Sequence, residues 1–459
     1  MTFTFNGKVF SGLAGDTLAS ALLANGQTLM GRSFKYHRPR GVVTSGPEEP
    51  NALVGLGEDG QFEPNARATT TELYDGLTAI SQNHWPSLEF DIGAINSKLS
   101  KFLPAGFYYK MFLWPRSFWK HVYEPFIRQS AGLGKPPRRR DADHYEHFNA
   151  TTDVLVIGGG IAGLTAALSA ASSGADVLLV EQDAHWGGRA PVDGGDIDDQ
   201  PVAEWVAKTV QRLSAMPNVR MRLRTMGAGI YDHGYVLLNE RLTDHTPEAD
   251  GPRQRLWKMR AAQVITATGA IERPLSFPGN DKPGVMLASA VRDYVVNFGV
   301  APGNKTVVVT NNDDGYRTAL ALVEAGLKVP VILDARLTAR GPLADAAREA
   351  GIRVTPGRAI AGIGGNMAVE TVLVCEQSGE GEVIEEVAAD CVAMSGGWSP
   401  VVHLYSHAGG KLTWNDDEAH FRPDPDKGPT GADGAVFVRA AGMANGAVTT
   451  QVVLTDAHK

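Results

Sequence analysis

The chain is predicted to be an α/β protein with an α+β amino terminus, and three observations in its 459 residues carry that prediction. An apolar, strand-like run, Val154 to Ile157, meets Gly158, Gly160 and Gly163, opens an Ala- and Leu-rich helix, and is answered by Glu181. Two short apolar runs flank Asn6 and Gly7 ahead of a capped helix, which is how a ferredoxin-like β-grasp domain begins. A second strand–turn–helix–strand pattern between Lys305 and Asp334 lies between two glycine-ended apolar strands, so a second nucleotide-fold-like domain is inserted into the first. The expected segments are 1–95 (ferredoxin-like), 96–148 (aromatic-rich linker), 149–275 with 395–459 (Rossmann-type dinucleotide binding) and 276–394 (the insert).

Thr2 to Phe5 and Lys8 to Phe10 read as strands because Asn-Gly favours the tight turn that matches strand twist. Asp16 and Thr17 cap a helix over Leu18 to Leu23, and Gly26 suits the left-handed residue that ends it. The stretch Gly31 to Gly41 contains Arg32, Lys35, Arg38 and Arg40, which suit an anionic group or an interface loop. A [2Fe–2S] ferredoxin would need four cysteines in this domain. The chain has two, Cys375 and Cys391, so no cluster is expected. Both sit in apolar runs and read as buried structural thiols, not as a disulfide, zinc site or CxxC pair.

From Phe102 to Phe126 there are ten aromatic residues, Trp114 and Trp119 among them, interrupted by Pro104, Pro115 and Pro125. Basic residues follow at Lys135 and Arg138 to Arg140. Aromatic rings beside basic groups suit a membrane surface, but prolines should break any long amphipathic helix. The segment is therefore read as a linker whose rings pack across domains or against a subunit.

The glycine fingerprint has a physical scheme. Gly158 permits the turn, Gly160 lets backbone approach a pyrophosphate, and Gly163 lets helix and strand close together. The helix start at Ile161 and Ala162 offers free N–H groups and a favourable dipole to the phosphates. The strand Ala175 to Val180 delivers Glu181, eighteen residues after Gly163, to an adenosine ribose.

Val264 to Thr268 then reads as a strand ending in Gly269, and from here the chain resembles the flavoprotein disulfide reductases, an architecture that implies this strand closes the first dinucleotide domain and hands over to an inserted second one. In the insert, Lys305 to Thr310 and Val329 to Leu333 read as the first strands of another βαβ unit. Its turn, Asn311 to Gly315, lacks the leading glycines and places Asp313 and Asp314 where a pyrophosphate would lie. The second fold is thus expected to be structural. The chain returns through Val392 to Pro400, and Ala435 to Arg439 is its last strand, ending near Gly442. Met443 follows that glycine, where flavin-binding relatives of this architecture commonly place an aspartate for the ribityl chain. NAD fits such a site better than FAD.

A net charge of −8 argues against nucleic acid as the main partner. No uncharged apolar run approaches 20 residues, and the first residues do not read as a signal peptide, so a cytoplasmic protein away from the membrane is expected.

Three features together resemble the α subunit of heterotetrameric sarcosine oxidase over essentially the whole chain. They are the cysteine-free start with Phe34 to Gly41 and Glu48 to Val54, the Gly158 fingerprint, and the run Glu181 to Arg189. The resemblance implies NAD at the first Rossmann fold, FMN shared with a β subunit and FAD on that β subunit, with small γ and δ subunits. It implies oxidative demethylation of sarcosine to glycine with hydrogen peroxide formation, amine oxidation itself taking place on β. The cofactor-binding candidates are Gly158, Gly160, Ile161, Ala162, Gly163, Glu181, Gln182, Gly187, Gly188, Arg189, Thr268, Gly269 and Gly442. No catalytic or metal-binding residue is assigned. Family α subunits continue into an aminomethyltransferase-like domain that binds tetrahydrofolate, and this chain ends at Lys459 without it, so no folate site is expected here. Two alternatives stand beside this reading: an FAD-binding α subunit of an opine, proline or other N-methyl amine dehydrogenase, and a non-catalytic nucleotide-binding scaffold.

Overall fold

The computed structural model describes residues 1–103, 106, 112–130 and 134–458. Pro104 and the rings of Phe107, Tyr108 and Tyr109 from the aromatic run lie outside the described residues. The chain forms two units, one of Met1–Ala142 with Arg273–Gly397, the other of Asp143–Glu272 with Trp398–Lys459.

In the first unit the hairpin of Thr2–Phe5 and Lys8–Ser11 forms around Asn6 and Gly7, both at positive φ. Its first strand pairs in parallel with Thr78–Ser81, which pairs antiparallel with Leu53–Leu56, and Glu63–Arg67 completes the five-stranded β-grasp sheet. The helix Leu18–Ala24 starts with a capping box in which Thr17 and Ser20 satisfy each other's backbone N–H. It buries Leu18 and Leu22 against Phe3 and Phe5. The insert is a parallel sheet in the order Val285–Leu287, Cys391–Ser395, Thr306–Thr310, Ile332–Asp334, Val354–Pro356, with a three-stranded meander over Arg358–Gly364, Thr371–Glu376 and Glu385–Ala388. Segments 1–95 and 276–394 share one apolar core, running from Phe3 and Leu22 to Met286, Val308 and Ile332. Cys375 and Cys391 are buried free thiols, and burial pushes the Cys391 thiol up to about 12.

The second unit centres on two thirteen-residue strands, Tyr145–Ile157 and Gln254–Thr266, paired in parallel along their whole length. Val177–Val180 and then Val219–Arg222 extend the parallel sheet on one side. On the other side Gln254–Thr266 has two partners at different levels. Its first half pairs antiparallel with Tyr235–Arg241, and Val264 to Thr266 pair in parallel with Val438–Ala440. The helix Ile161–Ser172 covers one face, with Leu164 and Ala167 fully buried.

Several boundaries differ from the sequence reading. The long strand Tyr145–Ile157 begins inside the expected linker, where Arg255 lies against the rings of Phe148 and Trp257. The run Val329 to Leu333 shortens to Ile332–Asp334, because Pro330 has no N–H to give a ladder. The last strand is Val438–Ala440, one residue beyond the expected end. Pro125 does not stop its helix: a π-type stretch, Trp119–Tyr123, runs into the α-helix Glu124–Ser130, and Pro125 falls in the first turn of the α part, where a missing N–H costs least. Trp114 is 83% exposed and Phe102 72%. No helix among the described residues is long and apolar enough to cross a membrane.

Candidate functional site

The turn Gly158 to Gly163 shows which glycines the protein itself requires. Gly158 has φ +110°, and a Cβ there would lie 2.2 Å from the Ala267 carbonyl oxygen. A Cβ on Gly163 would lie 1.8 Å from the Gly158 carbonyl oxygen, and one on Gly159 would strike the Trp186 ring at 2.4 Å. Gly160 is different. Its backbone is extended (φ −71°, ψ −176°), and a Cβ would find no protein atom nearer than 3.9 Å. Neither strain nor internal packing demands glycine at Gly160; what glycine preserves is open space at the amino terminus of the helix Ile161–Ser172. There the N–H groups of Ile161, Ala162 and Gly163 have no partner within the helix, and its dipole favours an anion.

Glu181 follows the strand Val177–Val180 and is 6% exposed. Its Oε2 accepts the Gly159 N–H at 2.6 Å and its Oε1 the Asp183 N–H at 3.0 Å. Burial, and then the neighbouring Asp183 charge, push this carboxyl above the usual carboxylate range. Gly187 sits across from the turn, its N–H donating to the Gly159 carbonyl at 2.9 Å. Gly187 and Gly188 both have positive φ, and Gly188 lies against Gly160. Gln182 contributes its carbonyl, which accepts from Arg241 Nη2 at 2.9 Å. A cavity of about 460 Å³ opens beside Trp186, lined by Arg222, Arg224, Glu240, Arg241 and His245 among others. The structure thus brings Gly158, Gly160, Ile161, Ala162, Gly163, Glu181, Gln182, Gly187 and Gly188 to one place.

The remaining candidates hold the edges of this unit. Arg189 pairs with Asp193 at 2.9 Å and lies 5.3 Å from the centre of the Trp398 ring. The Thr268 hydroxyl donates to the Val401 carbonyl at 2.7 Å, and Gly269 has φ +73°. Gly442, at φ +67°, would drive a Cβ to 2.5 Å from that of Ala162. Its N–H donates to Asp456 Oδ2 at 2.8 Å, and Asn445 donates to the other oxygen of the same carboxylate at 3.0 Å. Sequence reasoning missed Asp456, which no motif marks. Trp186 stood within the quoted run, but its place under Gly159 was not anticipated. Met443 is partly buried against the apolar core and offers no acceptor oxygen.

The insert's turn is filled by its own ions. Asp313 pairs with Arg336 at 2.8 Å, and Asp314 with the buried Arg292 at 3.2 Å. Asp334, fully buried, accepts from the Tyr316 hydroxyl at 2.7 Å and from Arg336. Of the basic loop, Arg32 is buried and donates to the carbonyls of Leu88 and Glu89, and Arg40 is engaged by Asp281. Arg38 keeps a half-exposed side chain, and it too faces Asp281, at 3.9 Å. Arg32 and Arg40 thus spend donors on contacts within this unit.

Residues 152–419 match the family described as pyridine nucleotide-disulphide oxidoreductase, and the chain belongs to it. Residues 1–84 match the 2Fe-2S iron-sulfur cluster binding domain, although neither cysteine of the chain falls among them. The chain is 46% identical over 461 residues, 99% of its length, to sarcosine oxidase subunit alpha of Rhizobium meliloti (strain 1021), of which it covers 46%. It is 36% identical to sarcosine oxidase subunit alpha of Corynebacterium sp. (strain P-1), matching 100% of this chain and 44% of that protein. It spans about half the length of these curated relatives. L-proline dehydrogenase from P. horikoshii shares the fold, with a TM-score of 0.62 at 21% identity over 96% of this chain and 68% of that one.

Proposed function

We propose that this chain is the NAD-binding α subunit of a heteromeric sarcosine oxidase of the cytoplasm, supporting the oxidative demethylation of sarcosine to glycine with hydrogen peroxide formation. On this reading amine oxidation takes place on a β subunit that carries FAD, FMN is shared with that subunit, and small γ and δ subunits complete the assembly. The observation that carries the dinucleotide assignment is Gly160, a glycine that neither backbone strain nor packing within the protein requires, at a helix amino terminus near Glu181.

The chain's own residues do the binding. The N–H groups of Ile161, Ala162 and Gly163 face the pyrophosphate. The Glu181 carboxylate accepts the adenosine ribose hydroxyls, keeping or exchanging its bond to Gly159. The cavity beside Trp186 receives the adenine end. Gly187 and Gly188 keep the opposite wall free of side chains, and Arg189 and Thr268 to Gly269 border the far end. When bound, a nicotinamide dinucleotide supplies a hydride-accepting ring. NAD is favoured over FAD because Met443 has no acceptor for a ribityl chain and Asp456, an acid that reaches this turn, already accepts from Gly442 and Asn445. The test is release of bound cofactor from the purified chain by heat or acid, followed by chromatography. NAD without FAD is expected, and stoichiometric FAD would overturn the assignment.

A further inference from the structure

The first unit contains a carboxylate that the dinucleotide site does not use. Glu49 is 2% exposed and has no cationic partner among its recorded hydrogen bonds. Its Oε2 accepts from the N–H groups of Val43 at 2.9 Å and Thr44 at 2.8 Å, and from the Thr44 hydroxyl at 3.3 Å. Its Oε1 accepts from the N–H groups of Asn51 at 2.7 Å and Ala52 at 3.0 Å. Two pairs of consecutive backbone N–H groups thus converge on one buried anion. Such concavities of peptide N–H groups are a common way for a chain to hold phosphate or an iron–sulfur cluster.

The spacing is informative. Plant-type ferredoxins hold a [2Fe–2S] cluster with the pattern C-x4-C-x2-C and a fourth, more distant cysteine. Thr44, Glu49 and Ala52 are separated by four and then two residues, in a domain that matches the cluster-binding family. All three are buried, and the anion they surround is the middle side chain itself. A fourth buried position reaches the same loop from further along the chain: Thr69 donates its hydroxyl to the Gly46 carbonyl at 2.7 Å, beside the Ala68 N–H, which donates to the Ala52 carbonyl at 2.9 Å. The residues present cannot hold a cluster, since two hydroxyls, a carboxylate and a methyl group replace four thiolates.

We propose that the Glu49 carboxylate stands where the iron–sulfur cluster of a metal-bearing relative would stand, and that it keeps the loop 43–52 folded by accepting the backbone N–H groups that would otherwise face the cluster. The loop is held from its other side as well. The Leu287 N–H donates to the Val43 carbonyl at 2.8 Å, and the buried Tyr294 hydroxyl donates to the Thr44 carbonyl at 3.0 Å. A former electron-transfer loop has become a fixed joint between the β-grasp sheet and the helix Ala288–Val296, and it carries no electrons. This inference is independent of which dinucleotide the second unit binds.

The experiment uses the full chain. Glu49→Ala should speed amide hydrogen exchange at Val43, Thr44, Asn51 and Ala52 by about tenfold or more and lower Tm by roughly 5 °C, with Glu49→Gln intermediate. The combined variant Thr44→Cys, Glu49→Cys, Ala52→Cys and Thr69→Cys, treated anaerobically with ferric iron and sulfide, should take up about two irons and develop visible charge-transfer absorption. The triple variant that keeps Glu49 should not. Unchanged exchange at those four amides in Glu49→Ala would overturn the proposal. So would failure of the quadruple variant to take up iron, or equal cluster formation in the triple variant.

Discussion

Glu181 and Gly159 are joined by a 2.6 Å hydrogen bond from the glycine N–H to the carboxylate, which ties the end of one strand to the turn after its neighbour. Burial of the carboxylate, and then the Asp183 charge, raise its affinity for a proton, while the Gly159 N–H that shapes the turn opposes that rise by stabilising the ionised form. The acid proposed to recognise a ribose is thereby pre-positioned, at an electrostatic cost that a ligand's hydroxyls would offset.

Replacing Gly160 by valine should abolish dinucleotide binding while leaving the fold intact, because the added carbons enter ligand space and not protein. Gly163→Val should instead unfold the second unit, since its Cβ has no room beside the Gly158 carbonyl. Thermal unfolding and calorimetric titration with NAD separate the two. Equal loss of Tm in both variants would contradict the distinction.

Glu181 gives a pH dependence with a defined sign. Its folded carboxyl binds a proton more tightly than the unfolded one, so its contribution to stability is greatest at low pH and is lost as pH rises through the raised folded value. Glu181→Gln should flatten that part of the stability profile. Dinucleotide affinity runs the other way, falling on acidification from above the usual carboxylate range as the ribose acceptor is protonated. Glu181→Ala should weaken binding by about 1–3 kcal/mol. Titrations at stepwise pH on wild type and Glu181→Gln check both slopes.

Arg336→Ala leaves the buried Asp334 with only the Tyr316 hydroxyl and the backbone N–H of residue 336. A loss of about 2–3 kcal/mol is expected, less than for a fully buried pair because the arginine keeps 34% of its side chain in water. Denaturant unfolding measures it. NAD binding at the other unit should be unchanged, and a parallel loss of binding would argue against a purely structural role for this network.

The purified chain alone should produce no sarcosine-dependent hydrogen peroxide, and activity should appear on co-expression with a β subunit. Peroxide formation by the isolated chain, followed with a coupled peroxidase assay, would refute the subunit reading.

Much of the fold was legible because local signals agree with tertiary packing. Asn6-Gly7, the Thr17 cap and the Gly158 turn each specify one local geometry, and the structure has all three. Ranges failed where a strand's length depends on partners distant in sequence. Nothing near Tyr145 announces a strand, because its pairing runs to Gln254. At the site, the glycines and Glu181 were readable from spacing, whereas Asp456 reaches Gly442 only through the placement of the last helix. The arginines of the basic loop looked available because charge is visible in a sequence and Asp281, far along the chain, is not an obvious partner.

The double pairing of Gln254–Thr266 also orders events during synthesis. Until Val438–Ala440 emerges from the ribosome, Val264 to Thr266 lack their partner on that edge, and residues 273–397, which pack with the amino-terminal segment, are made in between. That edge therefore waits more than 170 residues of elongation for its partner, and an unpaired strand edge is a template for wrong pairing.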